Sequence, residues 1–583
     1  MAMRITNNMI MKNSIKNINT TKTNVDKLNN QMTSQKKIDR ASEDPVIAIR
    51  SLRLRNTQAQ VDQYLNNNIS DASTWLEATE EALNNMETTL SSALTELDSI
   101  TGTLNLSDMQ VKLQNLQALR DELYSEGNAD LNGRSLFTGY KTDGTLTFLE
   151  EDSEASYTIT EPLSYSNIEE KAYYADLVDV DDTITVPTDT DGNISVDGDT
   201  VVTDPQEVDN YRIRLSYANL TSGSATGFSI TYDYARANDS YVSSAVYDTN
   251  TKTYQVTTTD SSGNTTTENY VYDDTTGTYV NENDATLTYD STAGKIYKTD
   301  TTTYTITEID YSTWEAADFA VPTADDATNN ALTSDNTIYF VPETGELVLG
   351  SGVAANLKSL QADISLTYDK TGFEAGEIRP ENYFDCTQYT ASNPYPNGIE
   401  YTKEDQEIKY TVASNTTLTV NVQASDVFNA DAGRDIDELI NAMQAAIDAE
   451  TKVANIEAMM EESQYSGEDA QAYLSNLLAA AQKEADYTQD NVTTLYSQYL
   501  TKFQNYEKDV TTALSDVGNK GSQLSLIKTR MTNQESTLES LISDNEDLDL
   551  SEIVINYTAA YNAYESALLA ASKASDNTLL DYI

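Results

Sequence analysis

Ile69, Leu76, Leu83, Leu90 and Leu97 stand seven residues apart, and Ala72, Thr79, Met86, Ala93 and Ile100 form a second row three residues behind them. Two apolar rows at this spacing keep to one helix face and form a seam that must be buried against other helices. Glu77, Glu80 and Glu81 lie off that seam, where charge belongs. A weaker stripe precedes it: Met11, Ile18, Val25 and Met32, with Ile15 and Leu28 beside them. The far end of the chain repeats the theme. Tyr496, Phe503, Val510, Val517, Leu524, Met531 and Leu538 make one row, in which Gly518 and Gly521 predict a kink or a break. Leu550, Tyr557, Tyr564 and Ala571 make another, accompanied by Ile553, Ala560, Ala567 and Ala574. The expected assembly seam is therefore Met11, Ile18, Val25, Met32, Ile69, Leu76, Leu83, Leu90, Leu97, Leu550, Ile553, Tyr557, Ala560, Tyr564, Ala567 and Ala571.

Between the helical ends the pattern changes to period two. Tyr211–Tyr217 and Phe228–Tyr234 alternate apolar and polar residues, with turn signals at Ser262-Gly263-Asn264 and Ala293-Gly294-Lys295. Thr337–Val341 and Leu347–Leu349, joined through Pro-Glu-Thr-Gly-Glu, read as a hairpin. Such β-branched and aromatic alternation predicts antiparallel sheets with one wet face. The expected fold is α+β and multidomain: N- and C-terminal heptad helices packed as a coiled-coil bundle, with a β-rich insert projecting from it. The expected domains are 1–60 with 545–583 as a terminal coiled coil, 61–140 with 430–544 as a helical bundle, and 141–429 as an outer insert of one or two subdomains.

Charge and composition exclude several functions. With 36 Lys and Arg against 94 Asp and Glu, the formal charge is −58, which argues against nucleic acid as a partner. The sequence has no His and one cysteine, Cys386, so an intrachain disulfide and any His-dependent triad or metal site are impossible. No Walker loop or dinucleotide fingerprint is present, and the reading is of a non-enzyme without cofactor. Thr188–Gly192 has part of a calcium-loop pattern but Pro187 and Gly198 stand where ligands belong, so a surface turn is expected. No stretch reads as a Sec signal or a membrane span, and composition alone favours the cytoplasm.

The first sixty residues invert the overall charge, with eleven bases against four acids. They are also poor helix formers. Asn at 7, 8, 13, 17, 19, 24, 29 and 30 costs about 0.5 kcal/mol each against Ala, or about 4 kcal/mol together. Such a segment is expected to order only when partners bury its Met, Ile and Val stripe.

The terminal motifs, taken as a set, resemble a known family. Arg4–Met9, Lys37-Ile-Asp-Arg-Ala-Ser-Glu-Asp-Pro-Val46 and Arg50–Arg55 look like the N-terminus of flagellar hook-associated protein 3, the hook–filament junction protein of the flagellin superfamily. Asn68–Leu76, Thr79–Leu83, Asn132–Thr142, Asp544–Leu550 and Leu579–Ile583 continue the resemblance. Flagellins typically follow the residue equivalent to Asp44 with Ala-Ala-Gly; here Pro45 and Val46 follow it. The resemblance implies a structural, motility-related subunit, exported unfolded by the flagellar type III route without a cleaved signal and residing outside the cell in the bacterial flagellum. It overturns the cytoplasmic leaning of composition. Implied partners are hook-associated protein 1, flagellin, further copies in a ring and an export chaperone, with no nucleic acid and no membrane insertion. The alternatives are a flagellin filament subunit and a secreted coiled-coil adhesin carrying a β domain. An adhesin gives no physical reason for both terminal motifs to occur together. The middle segment is longer than is usual in the junction family, and its role stays open.

Overall fold

The computed structural model describes residues 7–99, 104–175, 177–178, 204–309 and 336–576. Residues 4–6 of the first motif, Ile100, the Thr188–Gly192 turn and the Leu579–Ile583 motif lie outside the described residues. Helices α1 (Asn7–Ser34), α2 (Pro45–Asp62), α3 (Ile69–Asp98) and α4 (Leu106–Gly127) open the chain, and α5 (Asp431–Met460), α6 (Glu468–Glu546) and α7 (Leu550–Asp576) close it. Strands occupy the middle, so the α+β class with helical ends read from the sequence is the fold. The break expected at Gly518 and Gly521 is absent: α6 runs unbroken for 79 residues. Each glycine costs about 1 kcal/mol against Ala, but burying Val517 and Leu524 on either side offsets that.

The chain forms two compact units. One comprises Met1–Glu77, Ile408–Val420 and Val517–Ile583; the other comprises Ala78–Glu407 and Asn421–Asp516.

In the first unit, local chemistry sets the corners. Asp44 caps α2, accepting from Val46 N at 2.9 Å and Ile47 N at 3.2 Å, while Pro45 takes the first helical position where no N–H is needed. A widened turn at Gln63–Asn68 joins α2 to α3. A two-stranded hairpin, Lys409–Ala413 with Thr416–Thr419, docks there: Asn68 Nδ2 donates to the Thr411 carbonyl at 2.7 Å. Its Val412, Leu418 and Val420 are buried. This hairpin lies far along the chain, within the stretch read as insert, yet it folds with the terminal helices.

The second unit holds two larger sheets. The order of the eleven-stranded sheet is Ile399–Tyr401, Asp385–Tyr389, Asp152–Ser164, Asp363–Phe373, Thr226–Asp233, Lys295–Asp300, Leu287–Asp290, Thr278–Asn281, Thr265–Asp273, Thr253–Asp260, Ser240–Asp248, antiparallel throughout. Period two is visible in its long central strand, where Ala155, Tyr157, Ile159, Glu161 and Leu163 are buried in alternation. The five-stranded sheet runs Thr305–Glu308, Thr337–Val341, Glu346–Leu349, Gln206–Arg214, Ile168–Ala175. The expected hairpin is its antiparallel pair Thr337–Val341 and Glu346–Leu349, whereas Thr305–Glu308 adds to it in parallel.

A buried charge network ties this smaller sheet to α5 and the first half of α6. Arg212, 2% exposed, donates to Glu169 at 2.8 Å, to Glu346 at 2.6 Å and to Glu438 at 2.7 Å. Arg214 donates to Glu438 at 2.8 Å and also to Asp435. Lys171 reaches Glu346 at 2.6 Å, and Lys502 reaches Glu169 at 2.9 Å and Asp435 at 3.3 Å. The hydroxyls of Tyr499 and Tyr506 donate to Glu438 and Asp435, both at 2.6 Å. Four cations thus face four carboxylates, which is how ionised groups survive away from water. Burial opposes ionisation of Glu346, yet Lys171 and Arg212 beside it hold its carboxyl down to about 2.

Candidate assembly surface

The sequence at each terminus codes for one helix, and the two helices lie together. α1 packs along α7, antiparallel, because the end of one meets the start of the other. A polar clasp fixes that meeting point. Gln35, at a left-handed φ of 57°, turns the chain out of α1 and accepts from Leu548 N at 3.0 Å. Lys37 N donates to the Glu546 carbonyl at 2.7 Å. The Glu546 carboxylate takes Arg55 Nε at 2.8 Å and Nη2 at 2.6 Å, a bidentate pair, and also accepts from Ser51. Lys36 pairs with Asp547. Hydrogen bonds from Arg55 outweigh burial and hold the Glu546 carboxyl at about 2. Sequence reasoning quoted Arg55 and Asp544–Leu550 as motifs but did not pair them. Two charged residues some 490 positions apart give no periodic signal.

The expected seam residues fall into three groups. Ile69, Leu76, Leu83, Leu90, Leu97 and Ile553 are buried within the subunit. Ile18, Val25, Met32, Tyr557, Ala560, Tyr564, Ala567 and Ala571 are half-buried on the terminal helices. Met11 and Leu550 are exposed, at 50% and 54%. The heptad rows alone did not reveal what lies around them. Met9, Ile15, Val554, Ile555, Leu568 and Leu569 are also exposed on the terminal helices, and Val46, Ile49 and Leu52 form an outward stripe on α2. More than half of the exposed large apolar side chains of the described residues fall in the first unit, although it is about a quarter of the chain. Scattered exposed leucines need no explanation, but apolar residues in stripes along a helix mark a surface that another chain covers. The signal that could have found them is the position next to the row: Val554 and Ile555 directly follow Ile553, so α7 is apolar around more of its circumference than one seam requires.

Of these helices, α1 and α2 carry charge of the opposite sign to the chain as a whole. Lys12, Lys16, Lys22 and Lys27 on α1 and Arg50 and Arg53 on α2 are exposed. No helix among the described residues is long and apolar enough to cross a membrane, and no group of three or more His, Cys, Asp or Glu among them could hold a metal ion.

Residues 5–142 match the bacterial flagellin N-terminal helical region. Over that stretch the chain is similar to flagellin. Flagellar hook-associated protein 3 of Salmonella typhimurium is 32% identical over 144 residues, which are 24% of this chain and 45% of that protein. Flagellar hook-associated protein 3 of Escherichia coli is 32% identical over 152 residues, 26% of this chain and 47% of that one. The chain thus spans about half the length of the curated relatives it matches. A crystal structure of flagellar hook-associated protein 3 from Legionella pneumophila overlaps 84% of this chain and 97% of its own at 9% identity and a TM-score of 0.24, a likeness too low to support any inference. The flagellin-like match covers α1 to α4 and the corner that follows, up to Thr142.

Proposed function

We propose that this chain is a structural subunit of the bacterial flagellum that joins hook-associated protein 1 to the flagellin filament. The observation that carries the reading is the paired terminal helices with apolar outer faces, the first of them within a flagellin-type region. A helix pair apolar on its outside is incomplete alone, and copies of itself or of a related subunit complete it. The half-buried seam residues, from Ile18 to Ala571, would close when neighbours pack, forming a ring between two lattices of shared helical design. Seam side chains would then select which neighbour docks on each side. Residues 1–60 with 545–583 would serve as the terminal coiled coil, 61–140 with 430–544 as the bundle, and 141–429, less the Lys409–Thr419 hairpin that folds with the terminal helices, as an outer insert whose acidity opposes sideways association. The chain would reach its place by the flagellar export route, guided by a chaperone and without signal cleavage. The reading involves no enzymatic step.

The junction is favoured over the filament by Pro45-Val46 after Asp44, where the flagellin pattern has Ala-Ala-Gly, and by the name carried by both curated relatives. Labelling the protein and deleting its gene test the reading together. One spot per flagellum at the hook boundary, and hooks without filaments with flagellin released into the medium on deletion, are expected. Label along the whole filament, or deletion that removes all flagellin, points to the filament subunit. Filaments of normal length after deletion refute the junction role.

A further inference from the structure

Within the second unit, α4, α5 and the turn before Glu346 enclose a cleft of about 650 Å3. Charged groups line it, and nearly all of those withdrawn from solvent are matched. Asp437 takes Arg120 Nη1 at 3.0 Å, Glu346 takes Lys171 Nζ at 2.6 Å, Glu438 takes Arg214 Nη1 at 2.8 Å, and Glu377 lies 3.2 Å from Lys370 Nζ. Glu343 and Glu374 are exposed to solvent, where water screens them. Arg434 differs from all of these. Its guanidinium makes one hydrogen bond among the described residues, from Nη2 to the Thr344 carbonyl at 2.7 Å. Its Nε is buried without an acceptor, it forms no ion pair among the described residues, and the buried Thr344 hydroxyl beside it also has no partner. Its helix neighbour Gly433 keeps the wall tight: a Cβ there would lie 2.1 Å from the Tyr124 hydroxyl.

We propose that Arg434 holds a small oxyanion, phosphate or carboxylate, in this cleft. A guanidinium presents paired N–H groups in a planar fork that matches two oxygens of such a group. Leaving the Nε of a largely buried guanidinium and the Thr344 hydroxyl without partners is costly, and an anion in the cleft removes that cost. Burial, and then Arg214 beside it, push Arg434 towards losing its proton, against the pull of Glu346, Glu438 and Asp437; a bound oxyanion adds to that pull. The surrounding acidity keeps the affinity weak and makes it selective for a ligand that reaches the guanidinium itself. The proposal does not depend on the flagellar reading.

The test uses the full-length protein, titrated with sodium phosphate and separately with sodium acetate, at ionic strength held constant with chloride. Thermal melting and calorimetric titration are the readouts. Saturable binding of either anion, with a raised melting temperature relative to chloride, is expected. Response to phosphate alone assigns a tetrahedral anion, and response to both assigns the oxyanion class; either supports the site. Arg434→Gln should weaken binding at least tenfold. Arg434→Lys keeps the charge without the fork and should weaken it several-fold, which serves if the glutamine variant does not fold. Melting indistinguishable from that in chloride, or undiminished binding in the variants, overturns the proposal.

Discussion

The two units treat their surfaces in opposite ways. The sheet-bearing unit turns ionisable groups inward and pairs them, Arg212 and Arg214 against Glu169, Glu346, Asp435 and Glu438, and it joins helix to sheet through them. The terminal unit turns apolar groups outward, Ile15, Leu550, Val554, Ile555, Leu568 and Leu569 among them, and fixes the corner where α1 meets α7 with the Arg55–Glu546 clasp. The first arrangement is complete within one chain. The second leaves apolar side chains exposed in the single chain, and the proposed function has neighbours cover them. The lesson is that self-sufficiency in a subunit is read from where its unmatched groups lie: unmatched apolar area at the ends marks an interface, and matched charge in the middle marks a finished fold.

The sharpest way to break this contrast is to unbalance the network. Glu438→Ala leaves Arg212 and Arg214 facing each other with one carboxylate fewer. A loss on the order of 3–5 kcal/mol is expected, because removing one partner strands a buried charge. Chemical denaturation of the wild type and the variant checks it. A loss below about 1 kcal/mol would mean that water already reaches the network.

A second prediction concerns a buried carboxyl that has no cation among the described residues. There Glu161 accepts from Ser216 N at 3.1 Å, Ser216 Oγ at 2.8 Å and the Tyr368 hydroxyl at 2.5 Å. Burial raises its carboxyl to about 7 from the ordinary 4.5. The folded state therefore holds this proton more tightly than the unfolded state does. The stability it contributes is complete below about pH 4.5 and is lost as pH rises through 7, by about 3 kcal/mol. Glu346, held down to about 2, acts with the opposite sign and loses its contribution as pH falls from 4.5 towards 2. Glu161→Gln should flatten the stability profile between pH 5 and 8 in denaturant titrations. A wild-type profile already flat over that range would contradict the assignment.

How much of this was readable beforehand follows from the range of each interaction. Heptads report local geometry, so the helices, the buried rows from Ile69 to Leu97 and the period-two strands were legible. The Thr337–Leu349 hairpin was legible because its turn is short. The continuity of α6 through Gly518 and Gly521 was not, because burial of flanking residues outweighed propensity. Nor was the placement of the Lys409–Thr419 hairpin, the Glu546 clasp or Arg434, whose contacts join residues 343, 491 and 90 positions apart.

The smallest effect lies in α1. Replacing exposed Asn17 and Asn24 by Ala removes about 0.5 kcal/mol of helix cost at each. Helix content of the monomer by circular dichroism should rise slightly, with no change in the melting of the sheet-bearing unit. No rise would mean that α1 is already fully helical before assembly.

The central claim, that the terminal helices are completed by neighbours, is tested most directly by amide hydrogen exchange on the monomer and on the assembled state. In the monomer, Asn7–Ser34 and Leu550–Asp576 should exchange orders of magnitude faster than Asp431–Met460, and in the assembly all three should be protected alike. Terminal helices as protected in the monomer as Asp431–Met460, with no gain on assembly, would contradict the account.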